Sequence, residues 1–216
     1  MTYALSWSGG KDSTLALARA RAAGLDVRCL FNIYEGATGR VRFHGVRAEL
    51  IRRQAGALGI ELLQRHTHPE PFEPVFLATL EDLWTRGVRG VVFGNIHLAD
   101  VQGWYEERTR ARGFDHREPL WGGPPDALVR EFLAAGFHAV ITAVDLSRGD
   151  RAWVGRDLDE DLVREIETHG ADACGEFGEY HSFVYDGPLF QHPVRFERGQ
   201  PAERDGHLFI DLVDAP

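Results

Sequence analysis

The densest set of residues that could bind a phosphate group lies near the start of the sequence. It reads Ser8-Gly9-Gly10-Lys11-Asp12-Ser13 and joins an apolar stretch to one rich in Ala, Leu and Arg. Adjacent glycines let the backbone turn sharply and approach an anion with no Cβ in the way. A helix starting here would direct unpaired N–H groups and the positive end of its dipole at that anion, and Lys11 adds a full charge. The hexad predicts a phosphate-binding loop that is not a Walker A loop, which requires G-x-x-x-x-G-K-[ST].

Asp12 is the acidic residue of this hexad, and it would repel a phosphate directly. Two roles for it stay open: capping the helix or holding Mg²⁺ between phosphates. The alternative for the whole segment is a strand–helix turn that binds nothing. A complete hexad directly after an apolar strand disfavours that alternative.

The elements that must position the hexad alternate between strand-like and helix-like stretches through the first two-thirds of the chain. Strands are predicted at residues 3–7, 27–33, 61–65, 90–93 and 139–144, and helices at 12–23, 47–58, 72–86, 101–112 and 126–135. This alternation indicates an α/β fold with a doubly wound, five-stranded parallel sheet. Such sheets bind ligands at the carboxyl ends of their strands, which is where the hexad would lie.

The pattern changes beyond residue 147. A helix at 159–168 precedes a segment rich in glycine and aromatic residues at 175–190, and two short strand-like stretches follow at 194–196 and 207–213. We predict a nucleotide-binding domain at 1–147 and a small C-terminal α+β cap at 148–216 that closes over the sheet and contributes to substrate binding.

Composition narrows the class of protein. The formal net charge is −9, from 24 Lys and Arg against 33 Asp and Glu, which lacks the basic footprint usual for a nucleic-acid-binding protein. No apolar run approaches the roughly 20 residues that span a bilayer, so we expect no membrane association. Two cysteines, Cys29 and Cys174, form no CxxC pair, which is typical of a reduced compartment. With no secretory signal at the start of the sequence, the expected location is the cytoplasm.

The hexad resembles the SGGxDS signature of the PP-loop ATP pyrophosphatases, and nearly the whole chain resembles the diphthine–ammonia ligase family and its bacterial relatives. The further stretches that carry this resemblance are His44-Gly45-Val46-Arg47, Phe93-Gly94-Asn95-Ile96 followed by Asp100, Pro119-Leu120-Trp121-Gly122, Trp153-Val154-Gly155-Arg156 and Gly175-Glu176-Phe177-Gly178-Glu179-Tyr180. The Gly-Glu-x-Gly-Glu-Tyr and Trp-x-Gly-Arg stretches point to this particular family.

This resemblance implies an ATP-dependent amidation with ATP and Mg²⁺ as cofactors. A substrate carboxylate would attack the α-phosphate of ATP, giving an acyl-adenylate and pyrophosphate, and ammonia would then displace AMP. The hexad would bind ATP, with Lys11 and Asp12 acting in catalysis and Asp12 holding the metal. The acceptor, a small molecule or a modified protein side chain, stays open, and diphthine is one candidate.

The acidic, glycine-containing turn after residue 174 is the second candidate for catalysis. Glu176 and Glu179 could recognise a cationic group of the substrate, or bind ammonia or Mg²⁺. The alternative is a solvated acidic turn. Tyr180 and His181 are candidates for binding the substrate. Archaeal and eukaryotic members of the family follow this Tyr with Glu-Thr, where this sequence has His181-Ser182, and a different substrate would account for the change.

Four other residues are candidates for substrate binding. His44 and Arg47 open the second helix, where an arginine could hold a phosphate or carboxylate through two hydrogen bonds. Arg156 follows Gly155 near an expected lid, and Asn95 follows the fourth strand. For each, a surface or capping role is the alternative.

Two other functions compete with the ligase: a tRNA-modifying PP-loop enzyme, and a sensor that binds ATP or AMP without chemistry. The acidic charge and the absence of paired cysteines disfavour the first. Three tryptophans, Trp104, Trp121 and Trp153, would suit a homodimer contact or a pocket wall if they are exposed.

Overall fold

Two sheets organise the chain in the computed structural model, which describes residues 1–214. The first is parallel and has five strands, β1 (Thr2–Ser6), β2 (Asp26–Glu35), β3 (Glu61–Thr67), β4 (Gly90–Val92) and β5 (Asp115–Arg117), in the order β3-β2-β1-β4-β5. The second is antiparallel and has four, β6 (His138–Asp145), β7 (Tyr180–Asp186), β8 (Phe196–Arg204) and β9 (His207–Asp214), in the order β7-β6-β9-β8.

Helices cover both faces of the parallel sheet. They are α1 (Lys11–Ala22), α2 (Ala48–Leu58), α3 (Phe72–Thr85) and α4 (Ala99–Arg110). Helix α5 (Pro125–Ala134) packs against α1, α6 (Glu160–His169) packs against α5, and a short 3₁₀ turn lies at Arg151–Trp153. Successive residues of β1 point to opposite faces, so Leu5 packs with α1 and α2 while Ala4 packs with α3. The doubly wound α/β fold with a C-terminal α+β segment, predicted from the sequence, is confirmed. No helix within residues 1–214 is long and apolar enough to cross a membrane.

One strand belongs to a different sheet from the one expected. Residues 139–144, predicted as the fifth parallel strand, lie in β6 and pair antiparallel with β7 and β9. The fifth parallel strand is instead β5, three residues long with Asp115 and Arg117 at its ends. An apolar run indicates an interior strand but not its direction, and so short a charged strand gives no periodicity to read. The sheets change between β5 and β6, and the division into domains at residue 147 stays a prediction.

The order of the parallel sheet defines where a ligand would bind. From β1 the chain extends to one side through β2 and β3, and later to the other side through β4 and β5. The crevice at such a reversal, outside the carboxyl ends of the strands, is the usual ligand site of these sheets. It lies between β1 and β4, so the hexad after β1 faces residues 93–96 after β4.

The antiparallel sheet lies directly against the hexad. Its edge strand β7 donates the Val184 N–H to the Gly9 carbonyl at 2.9 Å, and Phe183 and Val140 belong to the same apolar core as Leu15 of α1. Burying side chains of this size stabilises the fold by about 1.5–3 kcal/mol each. The second sheet is thus packed onto the hexad.

Candidate active site

A buried glutamine holds the hexad in place. Gln54 of α2, with none of its surface exposed, donates through Nε2 to the carbonyls of Gly9 at 2.9 Å and Val184 at 2.6 Å. Its Oε1 accepts from the Trp7 indole at 2.9 Å. Gly9 has φ +83°, and a Cβ there would lie 2.6 Å from Gln54 Oε1, so this turn requires glycine. Sequence reasoning missed Gln54, whose one signal is an amide on the apolar side of α2.

The loop's own N–H groups meet hydroxyl oxygens. The Gly10 N–H donates to Ser8 Oγ at 3.3 Å and the Lys11 N–H donates to Ser182 Oγ, on β7, at 3.2 Å. Helix α1 begins at Lys11 with Gly10 as its N-cap residue and no side-chain cap, so Asp12 does not cap the helix. A phosphate oxygen could replace these neutral acceptors and form stronger, charge-assisted bonds to the same donors.

Lys11 is the central cation of the site. Only 4% of its surface is exposed, and its Nζ lies 3.0 Å from Asp12 Oδ2, donates to the Cys174 carbonyl, and stands 4.8 Å from the centre of the Tyr180 ring. Burial alone would lower the pKa of Lys11, but the Asp12 carboxylate outweighs it and raises that pKa above its ordinary value. The ammonium therefore stays charged within the fold.

Glu176 links the turn after Cys174 to the loop after β4. Its Oε1 accepts from the Ile96 N–H at 3.1 Å and the His97 N–H at 3.5 Å. Burial and the neighbouring Asp12 raise the pKa of Glu176. Glu176, Lys11 and Asp12 line one cavity of about 160 Å³, so the hexad and the acidic turn meet there.

Two histidines form the opposite wall of this cavity. His44 Nδ1 lies 3.1 Å from the Ser182 carbonyl, and the His44 and His181 rings are 4.7 Å apart, with Phe43 stacked on His181 at 6.0 Å. Burial and the nearby Lys11 charge lower the pKa of His44 to about 4. Burial and His44 likewise lower the pKa of His181. Both rings are therefore neutral at pH 7.

A second, larger cavity adjoins the first and shares His44. Its volume is about 620 Å³, and it lies at the carboxyl ends of β2 and β3, where Ser8, Tyr34, Phe72 and Tyr105 contribute to its wall. Small-molecule sites commonly have volumes of roughly 300–1,000 Å³ and largely apolar walls. A cavity of this volume is large enough for a nucleoside.

Two family models match this chain. The family described as the Diphthamide synthase N-terminal domain matches residues 1–116, and the Diphthamide synthase C-terminal domain matches residues 124–211. The chain belongs to the diphthamide synthase family. This assignment at the family level makes it an ATP-dependent ligase.

Individual relatives of this diphthamide synthase family member are distant in sequence. It is 28% identical to the diphthine–ammonia ligase of Danio rerio over 87% of this chain and 83% of that protein. It is 27% identical to the enzyme of the same name from Homo sapiens over 99% of this chain and 89% of that protein. It also resembles the solved structure of a predicted subunit of tRNA methyltransferase from Methanocaldococcus jannaschii, with 14% identity, a TM-score of 0.40, and coverage of 80% of this chain and 90% of that one.

Glu179 lies beside the cavity of this family member and not in its lining. With 6% of its surface exposed, it accepts from the Phe177 N–H at 3.1 Å and the Asp172 N–H at 3.4 Å. Its side chain therefore stabilises the backbone of the acidic turn. Tyr180 does line the cavity, and its hydroxyl donates to the Ala173 carbonyl at 2.7 Å.

Three other sequence-predicted residues form contacts away from the cavity lining. Arg47 binds Asp211 on β9, with Nε 3.1 Å from Oδ1. Arg156 binds Glu165 of α6 through two hydrogen bonds of 2.6 and 2.9 Å. Asn95 donates to the buried Glu118 at 2.8 Å.

Asp172 is a member of the site that sequence reasoning missed. Its Oδ1 accepts from the Cys174 N–H at 2.7 Å, and its Oδ2 lies 3.7 Å from His97 Nε2. It thereby fixes the backbone on the N-terminal side of Cys174, whose carbonyl accepts from Lys11. An aspartate seven residues before Glu179 gives no motif of its own, so only the folded turn reveals it.

Asp12 could supply one ligand to a magnesium ion. Within the described residues, no group of three or more His, Cys, Asp or Glu side chains is arranged to hold a metal ion by itself. Mg²⁺ in nucleotide sites usually needs one or two carboxylates, with phosphates and water completing the shell. The Asp12 side chain, 32% exposed beside the phosphate-binding loop, can supply one.

Proposed function

We propose that this protein is an AMP-forming ligase that adenylates a substrate carboxylate and then amidates it with ammonia. The observation that carries the proposal is the meeting of Lys11, Asp12 and Glu176 in one cavity at the switch point of the parallel sheet. The family match gives the ligase class, and the curated relatives named diphthine–ammonia ligase give the nucleophile.

ATP would bind across both cavities. Its adenosine would occupy the space at the ends of β2 and β3, and its β- and γ-phosphates would lie at the N-terminus of α1. Lys11 would neutralise part of the charge on the departing pyrophosphate, and Asp12 would hold a Mg²⁺ ion that supplies further positive charge there. In this placement the α-phosphate lies near His44, where the two cavities meet.

Two displacements follow from that placement. A carboxylate oxygen of the acceptor forms a bond to the α-phosphorus as the bond from that phosphorus to the bridging oxygen breaks, and pyrophosphate leaves with the electron pair. Ammonia then attacks the acyl carbon, AMP departs, and the nitrogen loses a proton. The chain's contribution is alignment together with positive charge on the phosphates, and Mg²⁺ supplies additional charge neutralisation.

The cysteines do not favour transfer of sulfur to RNA. Burial raises the pKa of Cys174 to about 12 and that of Cys29 to about 11, so neither is a thiolate at pH 7, the form that acts as a nucleophile. Cys174 Sγ instead lies 3.1 Å from the Pro125 carbonyl, to which it donates.

An assay of ATP cleavage by the purified protein with a cell extract that retains both small molecules and proteins, compared with the extract alone and with ammonium present, tests the proposal. We expect AMP and pyrophosphate to form in equal amounts when an acceptor is present. A protein that binds ATP and releases neither product in any extract would instead be a nucleotide sensor.

A further inference from the structure

The ammonium group of Lys11 is surrounded by groups that would hold a free ammonium ion in the same way. They are the Asp12 carboxylate at 3.0 Å, the Cys174 carbonyl oxygen, and the face of the Tyr180 ring at 4.8 Å. An ammonium is a donor of hydrogen bonds only, and aromatic faces attract cations through the ring quadrupole. We call these three groups the ammonium nest.

Two members of the nest are held in place without help from Lys11. The Tyr180 ring is fixed by its hydroxyl, which donates to the Ala173 carbonyl at 2.7 Å. The peptide that carries the Cys174 carbonyl is fixed by the Gly175 N–H, which donates to the Asp172 backbone carbonyl at 2.9 Å. The nest would therefore keep its shape if Lys11 left it.

The nest also has room for an ion of this size. Asp12, Cys174 and Tyr180 all line the cavity of about 160 Å³. A water molecule, which is close in size to ammonium, takes a share of about 30 Å³ in the liquid. The same cavity contains Glu176 and the first turn of α1, so an ion in the nest would lie beside the bound phosphates.

Lys11 cannot serve the phosphates and fill the nest at once. Its long, flexible stem lets the ammonium change position, and ATP places several negative charges at the start of the helix that carries it. Departure of Lys11 would leave the buried Cys174 carbonyl without a donor, which is costly. We propose that ATP draws Lys11 out of the nest and that free ammonium, the second substrate, takes its place. This inference depends on the proposed function for the identity of that substrate.

Exchange in the nest makes the two ligands bind cooperatively. If ATP binding opens the nest for ammonium, then ammonium must raise the affinity for ATP by the same factor. Between linked sites, one ligand typically changes the affinity for the other by roughly 5- to 150-fold. Ammonium should therefore strengthen nucleotide binding before any bond is broken.

Calorimetry on the wild-type protein tests this coupling. The titrant is α,β-methylene-ATP with Mg²⁺, which lacks the bond that the enzyme cleaves, in ammonium chloride or in sodium or tetramethylammonium chloride of equal ionic strength. We expect ammonium to lower the Kd on the order of tenfold, with no such effect from the other cations. A Kd that is the same in all three salts overturns the inference and leaves the ligase proposal standing.

Lys11→Ala gives a second test that needs no nucleotide. Removing the side chain empties the nest, so ammonium should raise the Tm of this variant above its Tm in sodium chloride. The wild-type protein and Arg21→Ala, which removes an exposed positive charge from α1, should show no ammonium-specific rise. A folded Lys11→Ala protein without that rise overturns the inference.

If this variant does not fold, calorimetry on the wild type decides. Failure of the analogue to bind at all would count against the ligase proposal, while the Lys11→Ala result still tests the nest.

Discussion

Lys11, in the first turn of α1, donates a hydrogen bond to the carbonyl oxygen of Cys174, 163 residues later in the chain. This contact joins the hexad after β1 to the acidic turn that precedes β7 of the antiparallel sheet. The proposed chemistry requires both segments, because one carries the phosphate donors and the other carries Glu176.

Asp12→Asn should lower pyrophosphate release by at least about a hundredfold, the scale on which removal of a charge-stabilising group acts. The amide oxygen can still accept from Lys11, so the fold should persist, while the negative charge that would hold Mg²⁺ is gone. Asp126→Asn is the matched control, since Asp126 lies in the first turn of α5 and is exposed. Equal rates for Asp12→Asn and the wild type would remove Asp12 from the site.

Glu176 and Glu179 should respond differently to the same substitution. Glu176→Gln keeps an oxygen for the Ile96 N–H, so we expect a folded protein with slower product formation. In Glu179→Gln, an amide NH₂ would face one of the two N–H groups that Glu179 now accepts. This should cost about 1–3 kcal/mol of unfolding free energy and lower activity only through the turn.

Urea unfolding and product assays on both variants would separate these effects. A Glu179→Gln protein as stable as the wild type, with product formation as slow as in Glu176→Gln, would restore Glu179 to a catalytic role.

Stability should fall as the pH drops from about 6.5 toward 4. His44 has a pKa lowered to about 4 by burial and Lys11, and the pKa of His181 is lowered in the same direction. Between about pH 6.5 and pH 4 the unfolded chain binds more protons than the folded one, so acid favours unfolding. Each unit of difference between the folded and unfolded pKa values changes the free energy of unfolding by about 1.4 kcal/mol. Urea unfolding of His44→Asn should show a flatter dependence on pH in this window, and an unchanged slope would contradict the assignment.

Asp211 should affect ATP binding indirectly, because it anchors the segment before α2. It accepts from Arg40 at 2.9 Å and from Arg47, and these contacts lower the pKa of Asp211. That segment also carries Phe43 and His44. Asp211→Asn should therefore raise the KM for ATP more than it lowers kcat. Glu165→Gln breaks the exposed pair with Arg156 and should change neither constant. Equal behaviour of the two variants would show that the anchor has no role at the site.

Local signals in the sequence were sufficient to predict the strand before the hexad and the helix that begins within it. The hexad and the apolar strand before it are consecutive in the chain, and they recur as β1 and the start of α1. The partner of residues 139–144 was not readable, because a strand buried on both faces has the same apolar pattern in either sheet. Trp153 was expected to be exposed if it served a dimer or a pocket, yet it is 2% exposed and belongs to the core.

The contacts of the remaining candidate residues depend on partners elsewhere in the chain. Arg47 precedes α2 and Arg156 follows Gly155, and each meets a carboxylate that the sequence could not assign to it. Asp172 and Gln54 act through backbone groups, which carry no residue-specific pattern. The strand and helix around the hexad were therefore predictable from one segment, whereas the side chains that support the hexad were not.

Pyrophosphate release with an extract-derived acceptor tests the central claim most directly. The measurement is AMP and pyrophosphate formed by the wild type and by Asp12→Asn, with Mg²⁺ and ammonium, in the presence and absence of the acceptor fraction. The ligase account predicts equimolar products from the wild type only with that fraction, and almost none from the variant. ADP and phosphate as the products, or equal product formation by both proteins, would contradict it.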